Sequence, residues 1–290
     1  MNVLSTVREQ ETHSVELKLR LCVNHMTAPN TSWRDLLSLA SAVGASGVEF
    51  RNDLPTPLFS GDSPEAVARE MQESGLVLYG LSQVYPFNSY SDAIAQEVES
   101  LINIAKRSGA QTISLIPRND GTCQGNGERQ ANLRLALREI KPMLANSGLV
   151  GLVEPLGFLR SSLRTKEEAL NAIEGVNGSA YFKIVHDTFH HHLAQETEFY
   201  AEYTGIVHIS GVAEPTLAID QMEDEHRKLV DEQDRLGNID QINTLIEMGY
   251  TGPISMECFS TEIHGLSNLD DELGKSLNFV RAACSHEQVV

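Results

Sequence analysis

Eight short apolar segments, each followed by a stretch with the periodicity of an amphipathic helix, constrain this chain more than any other feature. The segments are Leu19–Asn24, Gly47–Phe50, Leu76–Leu81, Thr112–Ile116, Leu149–Glu154, Tyr181–Asp187, Gly205–Ile209 and Pro253–Cys258. Most are continuously apolar rather than alternating, the pattern of parallel strands covered on both faces. The intervening stretches have readable ends. Ser63-Pro64 supplies an N-cap with proline at the first helical position, and Gly75 falls where a left-handed residue would close that helix. Thr165 and Glu168 form a capping-box pattern, with Glu168 expected to reach back to the cap amide. Ile94, Val98, Leu101, Ile102 and Ala105 share one helical face that stops at Gly109. Leu133, Leu137, Ile140 and Leu144 repeat the pattern in the next helix, as do Leu269, Leu273, Leu277 and Val280 in the last.

Strand–helix repetition at this spacing predicts parallel βαβ units, and eight of them in 290 residues predict an α/β fold. The expected architecture is a single (β/α)8 TIM barrel rather than an open doubly wound sheet. Such a sheet places a glycine-rich phosphate turn after its first strand, and Cys22-Val23-Asn24-His25-Met26 contains no glycine. No linker or low-complexity stretch interrupts the pattern. Residues 17–290 are therefore read as one barrel domain, and residues 1–16 as a polar lead-in without the apolar core of a signal peptide.

Composition bounds the partners. Apolar residues make up 41% of the chain, enough for a large core, which excludes disorder and coiled coil. Twenty-two Lys+Arg against 40 Asp+Glu give a formal charge of −18, a field that repels phosphate backbones and anionic lipid. No nucleic-acid or membrane partner is expected, and a neutral ligand or one bridged by a cation fits better. Cys22, Cys123, Cys258 and Cys284 lie far apart without a CxxC pair, and no long apolar run is present. Both features predict reduced thiols in a cytoplasmic protein. Homo-oligomerisation is left open.

The chemistry sits at the carboxyl ends of the strands, where barrels of this kind build active sites. The fifth strand ends in Val153-Glu154-Pro155 and the sixth in Val185-His186-Asp187. The seventh carries Val207-His208-Ile209, and the eighth Ser255-Met256-Glu257-Cys258. One acid at a strand end ordinarily caps the following helix. Four successive strands that each place an ionisable group at the same end argue for something else. Three clustered carboxylates repel one another and are costly to desolvate unless a cation compensates. Three oxygen donors with one imidazole suit one divalent metal ion, such as Mn²⁺, Co²⁺, Zn²⁺ or Mg²⁺.

The Glu–Asp–His–Glu order on strands five to eight resembles that of the xylose-isomerase-like barrels, a group of sugar isomerases, epimerases and dehydratases. Longer segments resemble the inosose isomerases (2-keto-myo-inositol isomerases) of inositol catabolism in particular. They are Val48–Leu54, the Val153-Glu154-Pro155-Leu156-Gly157-Phe158 run, His186-Asp187-Thr188-Phe189-His190-His191-His192-Leu193, His208–Val212 and Asp234–Asn238. The similarity runs from about the first strand to the last helix.

The resemblance implies that Glu154, Asp187, His208 and Glu257 hold the metal, the same four residues that the strand ends select. It implies a divalent-metal-dependent isomerase of carbohydrate metabolism that converts 2-keto-myo-inositol to 1-keto-D-chiro-inositol through a metal-bound cis-enediolate. Glu154 and Glu257 are the implied catalytic pair, in an order the sequence leaves open. His190 and Arg227 are the implied substrate-binding residues. His191 and His192 read as a solvated helix start without a role. The acid-rich stretch Ile219–Asp234 sits where a lid would be, with an ordinary solvated loop as the alternative. Arg51 reads as structural, with Glu49 as its salt-bridge partner or as a hydroxyl ligand. Asn24 reads as a polar lining residue, Trp33 as core, and Phe87, Phe158 or both as the apolar wall of the pocket.

An inosose dehydratase and a ketose 3-epimerase share every ligand and remain alternatives, as does a metal-dependent sugar-binding barrel without turnover. An abasic-site endonuclease is disfavoured. Leu81-Ser82-Gln83 and Ile116-Pro117-Arg118 lack the extra ligands it needs, and the net charge is wrong for DNA.

Overall fold

A computed structural model describes residues 15–16, 19–284 and 287–288. Eight parallel strands close into a barrel in chain order: β1 (Arg20–Asn24), β2 (Gly47–Arg51), β3 (Val77–Val84), β4 (Thr112–Leu115), β5 (Val150–Val153), β6 (Phe182–Asp187), β7 (Thr204–Ile209) and β8 (Pro253–Met256). β8 pairs back onto β1, with Leu21 opposite Ile254. All eight expected strands form, with ends shifted by up to three residues. The helices that follow them are α1 (Trp33–Ala42), α2 (Pro64–Ser74), α3 (Asp92–Ser108), α4 (Asn126–Ala145), α5 (Lys166–Gly175), α6 (Thr188–Ala194), α7 (Asn238–Glu247) and α8 (Leu269–Ala283). The lead-in expected at residues 1–16 lies outside the described residues except for Val15–Glu16, which pairs antiparallel with Glu287–Gln288.

The helix signals act as their chemistry requires. Ser63 caps α2 by accepting from the Ala66 amide, and Gly75 and Gly109 close α2 and α3 at φ of 70° and 80°. Thr165 caps α5 as expected, but Glu168 reaches one residue further back, to the Arg164 amide, and also binds Arg129.

A main core between the strands and the helix ring contains Trp33, Phe50, Leu133, Leu137, Leu273 and Leu277, all buried. Side chains two apart on a strand share a face. Cys22, Leu152, Val185 and Ile206 therefore share the inward face with Asn24, Glu154, Asp187 and His208, and they form a separate apolar cluster with Tyr79. A further cluster of Leu156, Phe158, Phe189, Leu193, Val212, Met222 and Leu236 roofs one side of the carboxyl end. The ionisable groups thus rest on an apolar floor and beside an apolar wall. Among the described residues no helix is long and apolar enough to cross a membrane.

Candidate metal centre and active site

The four residues from β5 to β8 converge. One donor atom each from Glu154, Asp187, His208 and Glu257 lies within 4.8 Å of all the others. The four residues are 5%, 3%, 1% and 2% exposed. Strand register brings this about, since Asp187 pairs with His208, and His208 with Ser255 on β8, two residues before Glu257.

β6 runs directly into α6, and Asp187 serves both. Its Oδ1 accepts from the amides of Phe189 (2.8 Å) and His190 (3.1 Å), capping α6, while Oδ2 accepts from Arg227 at 2.6 Å. The ordinary reading of a strand-end acid as a helix cap therefore holds for Asp187 together with its place in the group.

Two buried arginines offset the acids. Arg51 Nη1 donates to Glu257 Oε1 at 2.6 Å, and Arg227 Nη2 donates to Glu257 Oε2 at 2.9 Å. Arg227 also meets Ser210 and Asp224, so its guanidinium is fully engaged. Burial disfavours the charged Arg227, yet Asp187 and Glu257 outweigh it and raise its pKa. Burial likewise raises the Glu257 pKa, but His208 and then Arg227 and Arg51 hold it well below the carboxylate range. For His208, burial opposes protonation, while Glu257 and Glu49 push the pKa well above the ordinary imidazole value.

The residues fit a divalent cation. His208 Nδ1 lies 3.3 Å from Glu257 Oε2 and 3.7 Å from Glu154 Oε1, and it is buried without a hydrogen-bond partner. A buried imidazole nitrogen facing two carboxylates is satisfied when all three share a cation.

Beside this group lies a cavity of about 300 Å³ lined by Glu154, Glu257, Arg227, His190, Phe158 and polar loop residues. His190 is buried, its ring meets Phe158 edge-on at 5.2 Å between centroids, and its Nδ1 has no hydrogen-bond partner. Gly157 makes this placement feasible, because a β-carbon there would collide with the His190 carbonyl. A larger surface cavity of about 570 Å³ shares Phe158 and Arg160 but holds none of the four convergent residues.

A family model described as xylose isomerase-like TIM barrel matches residues 37–283. The chain belongs to the xylose isomerase-like TIM barrel family. A solved xylose isomerase domain-containing protein from Salmonella typhimurium LT2 is 30% identical with a TM-score of 0.83, over 91% of this chain and 97% of that one. The IOLI protein, solved with a zinc atom, is 20% identical with a TM-score of 0.82, over 92% of this chain and 98% of that one. D-psicose 3-epimerase from Clostridium cellulolyticum H10, solved with D-tagatose, is 16% identical with a TM-score of 0.72, over 92% and 100%. The last two likenesses are likenesses of fold. No curated protein matches the chain.

Several expectations change in this xylose isomerase-like barrel. Glu49 and Arg51 stand two residues apart on one face of β2, yet each takes a partner from elsewhere in the barrel and they do not pair with each other. Arg51 binds Asp53 and Glu257, whereas Glu49 faces His208 and Asn24. Asn24 is fully buried against Glu49 instead of lining the cavity. His191 is not solvated: it is buried, its Nδ1 meets Lys166 Nζ at 2.6 Å, and Lys166 in turn pairs with Glu196 at 2.7 Å. Burial and the Lys166 charge lower the His191 pKa from 6.5 to about 3. Phe87 lies in the main core, so of the two phenylalanines only Phe158 lines the cavity. The stretch Ile219–Asp234 forms two 3-10 turns, Ile219–Gln221 and Asp224–His226, with Met222 and Val230 buried. Its Glu223 pairs with both terminal nitrogens of Arg160 at 2.7 and 2.6 Å.

Sequence reasoning missed Asp53, Gln83, Tyr85, Asn119, Arg160 and Phe259, which line the cavity together with Arg51, Ile116, Leu156 and Asp224. The missed residues sit on or just beyond strand ends, where a site was expected. Nothing in their residue types separates them from ordinary loop residues.

Proposed function

We propose that this protein is a divalent-metal-dependent isomerase that interconverts keto-inositols, 2-keto-myo-inositol and 1-keto-D-chiro-inositol, by proton transfer between neighbouring carbons. The observation that carries this reading is the placement of Glu154 and Glu257 on the wall of one cavity and within one group that suits a cation. Glu154, Asp187, His208 and Glu257 would hold the ion. A bound divalent ion supplies a Lewis acid that polarises a keto group and acidifies the adjacent C–H.

The two glutamates are not equivalent. Both Glu257 oxygens accept from arginine, which stabilises the carboxylate and weakens it as a base. Among the described residues Glu154 makes no hydrogen bond to arginine. We therefore assign Glu154 as the base that removes the carbon-bound proton and, once protonated, as the acid that returns a proton to the neighbouring carbon, with Glu257 kept ionised by Arg51 and Arg227. The bare Nδ1 of His190 is free to bind a ring hydroxyl or to pass its proton. Arg227 lines the cavity and bridges the carboxylates of Asp187 and Glu257. A cavity of about 300 Å³ suits a neutral six-membered polyol.

A ketose 3-epimerase is the second reading, favoured by the likeness in fold to D-psicose 3-epimerase. The test is a proton NMR time course with 2-keto-myo-inositol in D₂O, with Mn²⁺, Co²⁺ or Zn²⁺ supplied in turn. An isomeric keto-inositol deuterated at the newly protonated carbon supports isomerisation. Loss of water to a diketone moves the protein to the dehydratases. No exchange with any ion rejects inosose, and turnover of D-psicose would then establish the second reading.

A further inference from the structure

Glu49 is fully buried on β2, does not line the cavity, and is absent from the group of four. A buried carboxylate is retained at a cost unless something requires it. Its surroundings show what that is. Oε2 and Oε1 lie 3.2 and 3.4 Å from His208 Nε2, and Oε2 also accepts from Asn24 Nδ2 at 3.3 Å. Asn24 is fixed in turn, because its Oδ1 accepts from the Met26 amide at 3.0 Å. Strand register sets Asn24 opposite Glu49, and Gly80 on β3 leaves room: a β-carbon there would stand 3.4 Å from Glu49 Oε1.

The two nitrogens of His208 therefore face different partners. Nε2 faces an acceptor that can only receive a proton, and Nδ1 faces the Glu154 and Glu257 oxygens. A neutral imidazole carries one N–H and one lone pair. With its hydrogen donated to Glu49, the ring presents the Nδ1 lone pair to those carboxylate oxygens, an arrangement that is favourable around a cation.

We propose that Glu49, braced by Asn24, is a positioning residue for the metal centre: it fixes the tautomer and orientation of His208 so that Nδ1 is the metal-binding nitrogen. This inference rests on the reading of the four residues as a metal site. Carboxylate–histidine–metal arrangements raise ligand basicity, and losing the outer partner typically costs about 10- to 100-fold in metal affinity.

The test uses Zn²⁺ alone. Titration against a chromophoric chelator should show Glu49→Gln binding Zn²⁺ about 10- to 100-fold more weakly than the parent. Asn24→Ala should lose affinity in the same direction by a smaller factor. Both metal-free variants should keep the far-UV circular dichroism of the parent. In ¹⁵N-histidine-labelled parent protein, Zn²⁺ should shift His208 Nδ1 while Nε2 stays protonated. Parent-like Zn²⁺ affinity in Glu49→Gln, or zinc on Nε2, overturns the proposal. Should Glu49→Gln fail to fold, the spectrum of the parent decides by itself. If the parent binds no Zn²⁺, or Asp187→Asn binds it equally well, the metal reading itself fails, an outcome separate from the role of Glu49.

Discussion

Arg227, on the loop after β7, places one nitrogen 2.6 Å from Asp187 Oδ2 and 2.9 Å from Glu257 Oε2, joining the ends of β6 and β8 through a single guanidinium. Breaking a buried ion pair by removing one partner typically costs about 3–5 kcal/mol, because a charge is left uncompensated. Arg227→Ala should therefore destabilise the metal-free protein by that order in urea denaturation. Saturating Mn²⁺ should recover part of the loss, since a cation between the same carboxylates replaces the missing charge. Equal losses with and without Mn²⁺ would mean that the arginine and the ion do not serve the same acids.

Asp187→Asn should leave the barrel folded, because asparagine retains an oxygen to cap α6 at the Phe189 and His190 amides. Metal content by plasma emission spectrometry should fall, and turnover should drop by about 100-fold or more. Full turnover with stoichiometric metal would remove Asp187 from the site.

Arg160 and Glu223 tie the loop after β5 to the loop after β7 at the mouth of the cavity, and Arg160 also stacks on Phe158 at 4.1 Å. The pair is partly exposed, so its loss should change stability by no more than about 1 kcal/mol. Arg160→Ala should instead raise KM by about five-fold, equivalent to roughly 1 kcal/mol of binding, with kcat nearly unchanged. A fall in kcat at constant KM would place Arg160 in the chemistry rather than in the closure of the mouth.

His191 should set part of the acid limit of stability. Its folded pKa of about 3 lies below its ordinary 6.5, so between those values the unfolded chain takes up a proton that the folded chain refuses. Stability is therefore lost as pH falls from about 6.5, at up to about 1.4 kcal/mol per pH unit for one such group. Urea denaturation between pH 7 and pH 5 should show a shallower decline in His191→Gln than in the parent. An identical slope would show that other groups set the acid limit.

The apolar segments made the barrel legible, because a parallel strand covered on both faces carries its assignment in its own composition. Glu154, Asp187, His208 and Glu257 were legible for the related reason that an ionisable residue ending an apolar strand has no apolar explanation. Pairing of Glu49 with Arg51 was one of two readings the sequence left open, and it fails because His208 meets Glu49 and Glu257 meets Arg51, long-range partners that sequence proximity does not reveal. His191 looked like surface because a run of histidines carries no helical phase until α6 is placed against Lys166. Phe87 and Phe158 both follow strand ends, and only the path of each loop separates core from cavity wall.

The cavity draws on two kinds of scaffold. Among its lining residues, Glu154 and Glu257 sit directly beyond β5 and β8, whereas Tyr85, Asn119, Arg160, Asp224 and Phe259 are carried on loops. Under the proposed function, the reacting acids and most of the substrate contacts would therefore be carried by different segments, with Arg227 on the loop after β7 shared by both. On that reading, a redesign of the segments that carry Tyr85, Asn119 and Arg160 would search for new sugars while the strand-end acids stay as they are, much as a chuck accepts different bits without a change of motor.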